Sequence, residues 1–350
     1  MSEATIRTLR SDERERVLAL LDEWPLSDGW RGRDYFRRYI ESDPNYADEN
    51  FWVAEQGGEL VACVQIFPRA LRVRGAAVPI GGIGSVFTHE KARGSGVASQ
   101  LLEAAAAAMR ERAMEVSLLF ASRHAFYARL GWTLWPRQRP LWLGADASAA
   151  PGAPRRIDAF DRARDLDAVM GLHEHYAASR DGTVVRSRAF WLGHFGFAGN
   201  PTEEFLVARD AAGRIEAYIR VSLLEGFCAV LELGRDESPE GASALAELAV
   251  RSAAPRDGDP FAARAGKASA DFRRVLLAPA YDDAALDAAL AARGVLVKHF
   301  EEKGSMFRVL NAAALAQRLG ASLGPGESPE ALLARLLPPQ RLVFWPADRF

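Results

Sequence analysis

A basic, glycine-rich turn joins an apolar strand to a long helix between residues 85 and 102. Arg93, Gly94 and Gly96 form the turn, and an Ala- and Leu-rich helix begins near Ala98. Glycine lets the backbone approach a ligand closely, and a helix N-terminus and an arginine both attract negative charge. The pattern therefore predicts a polyphosphate site, although a turn that simply caps the helix without a ligand has the same composition.

The spacing of this turn excludes two common nucleotide motifs. No Lys-Ser or Lys-Thr pair follows the glycines, as a P-loop requires, and the Gly-x-Gly-x-x-Gly pattern with an acidic residue about 20 positions later is absent. A different phosphate-bearing ligand is therefore expected.

A second stretch with chemical potential follows at 121–132. It contains His124, Tyr127, Gly131 and Trp132 on a short predicted helix and its stop. A phenol with a pKa of about 10 is protonated at neutral pH, so Tyr127 is suited to donate a proton. The alternatives are a tyrosine that only packs and a histidine that faces solvent beside the helix cap.

These two stretches resemble the GNAT acetyltransferases. Arg93-x-x-Gly96-x-Ala98 is similar to their [QR]-x-x-G-x-[GA] signature, and the stretch from Phe126 to Trp132 is similar to their F-Y-x-x-x-G-[FYW] element. The resemblance implies direct transfer of an acetyl group from acetyl-CoA to a primary amine, with Tyr127 protonating the departing thiolate and backbone N–H groups near residues 87 and 88 holding the oxyanion. It places acetyl-CoA on Val86, Phe87, Thr88, Arg93, Gly94, Ser95, Gly96, Val97, Ala98, Ser99, Ser122 and Arg123.

The order of predicted elements appears twice along the chain. Residues 3–145 give helices, a hairpin, further strands, a long helix, a strand and a short helix, and 155–300 repeat this order more faintly after a Pro- and Gly-rich linker. We predict an α+β fold of tandem GNAT-like domains, each a mixed central sheet flanked by helices, over 1–150 and 151–303, with a short C-terminal helical segment over 304–350.

Tandem units of which only the first has the CoA motif resemble the enhanced intracellular survival (Eis) family. The corresponding turn of the second unit, residues 234–240, carries acidic residues in place of the glycine pattern, so it is not expected to bind CoA. The resemblance implies that the C-terminal carboxylate, here on Phe350, is the general base, reached by a strand-like segment at 342–345. The segment after residue 300 is shorter than the third domain of that family. Glu90, His89 or a water chain are the other candidate bases, and a frayed terminus is the structural alternative.

Aromatic and acidic residues near the N-terminus fall where GNAT proteins bind the acceptor. Trp24, Trp30 and Phe36, with Asp22, Glu23 and Asp28 nearby, predict an acidic, aromatic cleft for a cationic amine. Ordinary packing and a solvated face are the alternative. The acceptor itself, a small-molecule amine or a protein lysine, is not specified.

Composition limits the other functions. The chain has 350 residues, a formal net charge of −2, 49% hydrophobic residues and no long run of like charge, which disfavours nucleic-acid and membrane surfaces. Cys63 and Cys228 lie far apart in apolar stretches and predict buried thiols, and no metal site is expected. No signal peptide or membrane span is recognised, so we expect a cytoplasmic protein; the family resemblance adds a homo-oligomer. A non-catalytic GNAT-like sensor of acyl-CoA or another small ligand is the alternative function.

Overall fold

Two mixed β-sheets with helices against them organise the chain. The structure is a computed structural model that describes residues 4–26, 30–144, 155–198, 203–224, 227–254 and 275–350. Each sheet has seven strands among these residues. The α+β class expected from the sequence is confirmed, with the predicted linker at 151–154 lying outside the described residues.

The first sheet is antiparallel except at one pair. Its order is β1 (Thr5–Thr8), β2 (Phe51–Gln56), β3 (Glu59–Val73), β4 (Ala76–Thr88), β5 (Val116–Phe120), β14 (Ser305–Val309) and β6 (Thr133–Leu134). The parallel pair is β4 with β5, from Ile80 opposite Val116 to Ile83 opposite Leu119. Beyond Ile83, β4 continues beside β3 alone, so a gap opens between the ends of β4 and β5.

The second sheet repeats this plan. Its order is β8 (Arg156–Ala159), β9 (Glu203–Arg209), β10 (Ile215–Leu224), β11 (Phe227–Arg235), β12 (Val275–Leu277), β7 (Arg137–Leu143) and β13 (Leu296–Glu302). Here β11 and β12 form the parallel pair. The duplication inferred from element order is therefore visible in the topology.

The two sheets exchange one strand each. β7 belongs to residues 1–150 in sequence yet lies between β12 and β13, while β14, from residues 304–350, lies between β5 and β6. The boundaries expected at 150 and 303 therefore do not divide the sheets, because each sheet is completed by hydrogen bonds to a strand from the other side of a boundary. As limits of independently folding domains, 1–150, 151–303 and 304–350 stay a prediction.

The helices pack against these sheets in equivalent places. They are α1 (Arg14–Leu21), α2 (Gly32–Ser42), α3 (Val97–Glu111), α4 (His124–Ala128), α5 (Arg162–Ala178), α6 (Arg188–Phe197), α7 (Pro239–Ala253), α8 (Ala284–Ala292), α9 (Ala312–Arg318) and α10 (Pro329–Leu336). α3 packs on β3 and α7 on β10, each through a buried apolar face. Long helices thus begin directly after β4 and β11.

The C-terminal region belongs to the core of the first unit. Leu315, Leu332 and Leu336 from α9 and α10 are buried with Leu118 of β5 and Phe307 of β14. The separate terminal segment expected from the sequence is therefore joined to the first sheet. Residues 342–345, expected to be strand-like, form no strand; a hydrogen bond from the Val343 N–H to the Asp181 carbonyl at 2.8 Å and burial hold them instead.

Candidate functional site

A bulge in β4 shapes the gap between β4 and β5. The register against β3 shifts between Cys63 and Gln65, and Ser85 adopts a φ of 50°. The Ser85 hydroxyl donates to Gln65 Oε1 at 3.0 Å, and the Cys63 thiol donates to the Ser85 carbonyl at 3.3 Å. Burial raises the pKa of Cys63 to about 12, which keeps it a thiol. The bulge re-aims the backbone of β4 at the gap.

The glycine-rich turn leaves an open helix N-terminus at the end of β4. Gly94 and Gly96 have φ values of 80° and 85°, and a Cβ at either would meet nothing within 4 Å. Gly96 is the N-cap of α3 and supplies no side-chain cap, so the first N–H groups of the helix remain available to a ligand. Arg93 is exposed, and its Nε donates to the Thr88 carbonyl at 3.2 Å.

The predicted CoA residues divide by exposure. The turn from Arg93 to Gly96 is exposed, as are Ser122 and Arg123 after the end of β5. Phe87 and Val97 are buried, so any contact from these two to a ligand must come from the backbone. Half-buried positions complete the set: Val86, Thr88, Ala98 and Ser99.

The corresponding turn of the second unit is closed by its own side chains. Ser238 caps α7 by accepting from the Gly241 N–H at 3.0 Å, and Pro239 occupies the first turn. Asp236 accepts from the Ser238 N–H at 3.1 Å. These contacts use the donors that a phosphate would need and add a negative charge beside them, which agrees with the expected loss of CoA binding there.

Tyr127 lies on α4, across the gap from the β4 bulge. Its ring packs edge-on against Phe126 at 5.0 Å between ring centroids and lies 6.4 Å from Trp132. Burial raises the pKa of Tyr127 above its ordinary value, against a smaller lowering by Arg123. The hydroxyl is therefore protonated at neutral pH. His124 Nε2 lies 2.9 Å from the Ala121 carbonyl, a contact that fixes the start of the helix.

A cavity of about 200 Å³ occupies the gap. It brings together Tyr127, the β4 bulge and the last residue of the chain. Its lining comprises Trp24, Leu26, Tyr35, Phe36, Tyr39, Ile83, Gly84, Ser85, Val86, Leu119, Phe120, Tyr127 and Phe350. The turn at 93–99 is not part of this lining, so the cavity and the open helix end are neighbouring regions at the end of the same strand.

Phe350 packs directly on β4. A Cβ at Gly82 would come within 2.3 Å of the Phe350 ring, and one at Gly84 would lie 2.9 Å from its carboxyl carbon. The ring stacks on Phe67 at 5.4 Å and lies 5.7 Å from Phe120. The glycines on β4, where a GNAT strand often carries a glutamate, thus make room for the terminal residue.

Buried charges hold the tail in this position. Arg186 donates from Nε to Asp348 at 2.9 Å and from Nη2 to Glu232 at 2.7 Å. All three side chains are fully buried. His194 Nε2 lies 2.9 Å from the Ala347 carbonyl, and Arg349 contacts Glu302 at 2.7 Å. The second unit therefore supplies the anchors of a segment that ends in the first unit's cavity.

The other candidate bases lie outside the cavity. Glu90 is exposed at the start of a short 3-10 turn, and His89 Nδ1 accepts from the Lys91 N–H at 3.2 Å while its Nε2 lies 3.6 Å from Glu23. Neither lines the cavity.

The acceptor-side prediction is half right. Trp24 and Phe36 line the cavity, whereas Trp30 does not. Asp22 is engaged by Arg31 at 2.6 Å, Glu23 is exposed, and neither lines the cavity; Asp28 lies outside the described residues. The described lining is therefore aromatic but not acidic, and the Asp22 carboxylate pairs with Arg31 instead.

Several lining residues were missed by the sequence analysis: Leu26, Tyr35, Tyr39, Ile83, Leu119 and Phe120. Tyr35 and Tyr39 are four residues apart on α2, a spacing that puts both on one helix face and could have flagged them. Phe120 ends β5, next to the gap, which no sequence pattern marks.

Two further searches concern the described residues. Among them, no group of three or more His, Cys, Asp or Glu side chains is arranged to hold a metal ion. None of their helices is long and apolar enough to span a bilayer. Cys63 and Cys228 are buried in different sheets, as expected for thiols that serve packing.

Comparisons of sequence identify the N-terminal region. Residues 5–135 match the family described as "Acetyltransferase (GNAT) domain". An uncharacterized N-acetyltransferase of Streptomyces avermitilis is 30% identical over 184 residues, which cover 47% of this chain and 43% of that protein. The chain thus matches less than half the length of this curated relative.

Comparisons of structure extend over nearly the whole chain. A probable N-acyltransferase of Enterococcus faecalis covers 92% of this chain and 76% of its own, with a TM-score of 0.68 and 15% identity. Eis1 from Mycobacterium abscessus covers 90% and 76%, with a TM-score of 0.59 and 18% identity. N-myristoyltransferase of Saccharomyces cerevisiae with bound myristoyl-CoA covers 98% and 90%, with a TM-score of 0.56 and 16% identity.

These similarities confirm the tandem GNAT-like fold and its likeness to an Eis protein. At such identities the structural likeness concerns the fold alone, while the sequence match concerns the unit that carries the bulge, the open turn and Tyr127. Residues 5–135 of this chain therefore match a GNAT acetyltransferase domain, within a tandem fold similar to that of Eis1.

Proposed function

We propose that the chain is an acetyl-CoA-dependent N-acetyltransferase that transfers the acetyl group directly to a primary amine. The observation that carries the proposal is one cavity, between the ends of β4 and β5, lined by Tyr127 and by Phe350. A proton donor and a carboxylate thus border the space that a thioester would enter. The GNAT domain match and the N-acetyltransferase relative support the same reaction class.

The residues at the end of β4 fit a CoA pyrophosphate. Gly94 and Gly96 leave the turn without side chains, the start of α3 offers N–H groups, and Arg93 is exposed beside them. The half-buried Val86 and Thr88, with the backbone of the buried Phe87, would then line the pantetheine, and Ser122 and Arg123 would face it from the end of β5.

The reaction removes two protons from the substrate nitrogen and delivers one proton to the sulfur. The carboxylate of Phe350 accepts a proton from the substrate ammonium, directly or through one water. The amine nitrogen then forms a bond to the thioester carbonyl carbon, and the carbon–sulfur bond breaks with its electron pair on sulfur. Tyr127 donates its proton to that sulfur. The second proton on the attacking nitrogen passes, directly or through water, to the Tyr127 phenolate. The proton on Phe350 goes to solvent, and amide and free CoA thiol leave.

Backbone donors are available for the developing oxyanion. Successive N–H groups along a strand point to alternate edges, and those of β4 beyond Ile83 that do not face β3 point into the gap. Groups near residues 87 and 88 are the ones we assign to the oxyanion. Their charge stabilisation is strongest where water is excluded, as in a cavity walled by aromatic rings.

The proposed base rests on what the lining offers. Among the described lining residues, no side chain carries a carboxylate, so the carboxyl group of Phe350 is the anionic group at hand. The closeness of its carbon to β4 at Gly84 puts it beside the bulge where the thioester would bind.

A thiol-release assay tests the function. Purified protein with acetyl-CoA is screened over a library of primary amines, and free CoA is measured together with the acetylated product by mass spectrometry. We expect at least one amine to raise CoA release far above hydrolysis without amine. If acetyl-CoA binds but no amine is acetylated, the protein is instead a non-catalytic acyl-CoA sensor.

The remaining expectations are part of the same proposal. The acceptor is a small-molecule amine or a protein lysine, no metal takes part, and the protein acts in the cytoplasm, without nucleic-acid or membrane partners. A homo-oligomer is expected from the Eis-like fold. Light scattering of the purified protein decides that last point.

A further inference from the structure

The acceptor end of the cavity is walled by aromatic rings. Tyr35 packs edge-on against Phe36 at 5.1 Å, and Phe36 contacts Trp24 at 5.4 Å between ring centroids. All three line the cavity, with Leu26 beside them and Phe120 on the β5 side. Flat rings on the wall favour a flat apolar ligand, because offset and edge-to-face ring contacts stabilise beyond the area they bury.

No side chain of the described lining carries a charge. The carboxyl group of Phe350 is the one negative group there, so the lining can neutralise one ammonium. An amine with several positive charges would leave the others without a carboxylate partner among these described lining residues, which is unfavourable.

Positive charges stand behind this wall. The Arg38 guanidinium lies 4.6 Å over the ring of Tyr35, and the Arg349 guanidinium lies 4.8 Å over that of Phe120. Arg349 also contacts Glu302, which offsets part of its charge. Two lining rings are thus already engaged by cations on their outer side.

The size of the cavity limits the ligand further. Its volume of about 200 Å³ also has to admit the acetyl group beside Tyr127. A closed apolar cavity of about 150 Å³ accepts one benzene molecule. The space therefore accommodates a single ring on a short arm.

Resting on the proposed function, we propose that the acceptor is an arylalkylamine: a primary amine with one positive charge on a short arm attached to a single apolar ring. The ammonium lies toward the Phe350 carboxylate, and the ring lies against Trp24, Tyr35 and Phe36. Linear polyamines and aminoglycosides are poor acceptors.

The experiment compares acceptors by kcat/KM at saturating acetyl-CoA. The probes are 2-phenylethylamine, spermidine, kanamycin and a lysine-containing peptide, with CoA release as the readout. We expect 2-phenylethylamine to exceed each of the others by about 10²-fold or more. Equal or higher kcat/KM for spermidine, kanamycin or the peptide overturns the proposal while leaving N-acetyltransfer intact. No release with 2-phenylethylamine, while another amine of the library is acetylated, overturns it as well. Release with no amine of the whole library defeats the proposed function itself.

A charge-introducing variant tests the wall independently. Leu26 is half-buried in the lining, so a longer polar side chain can be accommodated. Leu26→Glu adds the carboxylate that the wall lacks and should raise the ratio of spermidine to 2-phenylethylamine kcat/KM by about tenfold. Leu26→Gln has the same shape without the charge and should change the ratio by less than about threefold. An unchanged ratio in a folded Leu26→Glu protein, judged by its acetyl-CoA KM, contradicts the assignment of this wall to the acceptor.

Discussion

Gly96 occupies a backbone conformation that serves two purposes at once. Its φ of 85° lets the chain turn from β4 into α3, and its missing side chain leaves the helix end open. A substituted residue would keep the turn only at some cost in strain and would cover the N–H groups. Both the turn into α3 and the proposed phosphate site therefore require glycine at position 96.

Gly96→Asp should abolish acetyl-CoA binding, because its carboxylate would stand against the pyrophosphate at the helix end. Isothermal titration calorimetry measures this. Gly213→Asp is the matched control, since Gly213 has a φ of 84° in an exposed turn of the second unit with nothing within 4 Å of a Cβ. Acetyl-CoA should bind that variant normally. Normal binding to Gly96→Asp would show that the site has been assigned to the wrong turn.

Tyr127→Phe should lower kcat by about 10²-fold, because only the donated proton is lost. Acetyl-CoA affinity should change little. Since burial holds the pKa of Tyr127 above its ordinary value of about 10, the acid stays protonated and should cause no fall in kcat below about pH 10. Stopped-flow measurement of the acetylation step over a range of pH gives the rate of this step and its pH dependence.

Tyr46→Phe serves as the control for Tyr127→Phe. The Tyr46 hydroxyl donates to Asp48 at 2.7 Å and lies outside the cavity lining, so its loss should leave kcat unchanged. An alkaline limb below pH 9 in the wild type that disappears in Tyr127→Phe would contradict the protonated state assigned here.

Among single residues, the sequence predicted those of the glycine-rich turn and Tyr127 better than the aromatic residues that line the cavity. Tyr127 and the turn glycines Gly94 and Gly96 are marked by local spacing, because the turn and helices that position them are continuous in sequence. Tyr35, Tyr39 and Phe120 meet only after α2 packs near the end of β5, and such meetings depend on tertiary contacts. Asp22 was wrongly expected in the acceptor cleft. Its carboxylate pairs with Arg31, and sequence composition does not reveal such a pairing.

The pairing of β7 with β13 is the contact between elements that the sequence predicts least. Arg137 and Arg139 on β7 are buried, although arginines in an alternating strand usually indicate a solvent face. Glu302 at the end of β13 pairs with both. Period-two patterning predicts that a segment is a strand but not which strand lies beside it, so the exchange of β7 and β14 between sheets could not be inferred.

Glu302 should make stability depend on pH in a defined acid range. Burial would raise its pKa, but Arg137, Arg349 and Arg139 lower it to about 2. A carboxyl group whose pKa is lower in the folded than in the unfolded state stabilises the fold above about pH 4.5. That stabilisation should disappear as pH falls from about 4.5 to 2.

Urea unfolding at pH 7, 5, 4 and 3 measures the effect of Glu302. Glu302→Gln should be less stable than the wild type at pH 7, and the difference should shrink through the acid range. Glu301→Gln is the neighbouring control, because Glu301 is a half-exposed partner of Lys303 whose pair contributes little. A stability difference for Glu302→Gln that stays constant from pH 7 to 3 would mean that these arginines do not depress the pKa.

For the whole molecule, the second unit acts on the first through the tail. The sequence predicted that the tail would return to the site but assigned it a strand, whereas side-chain anchors hold it. Arg186, Asp348 and Glu232 form a fully buried cluster between the second unit and the tail. Removing one member of such a cluster leaves a buried charge without its partner, which is strongly destabilising. A unit without the CoA turn can thereby still be required for catalysis.

Two variants test the tail separately: one displaces the terminal carboxylate, and the other removes the ring of Phe350. Adding a few glycines after Phe350 moves the carboxylate away from β4, so kcat should fall by about 10²-fold while acetyl-CoA affinity persists. Phe350→Ala retains a terminal carboxylate but loses the ring that stacks on Phe67. It should mainly lower the thermal stability and keep more activity than the extended chain. The same glycines placed at the N-terminus provide the control. If the C-terminal extension leaves kcat untouched, the base must be sought at Glu90, His89 or a water chain.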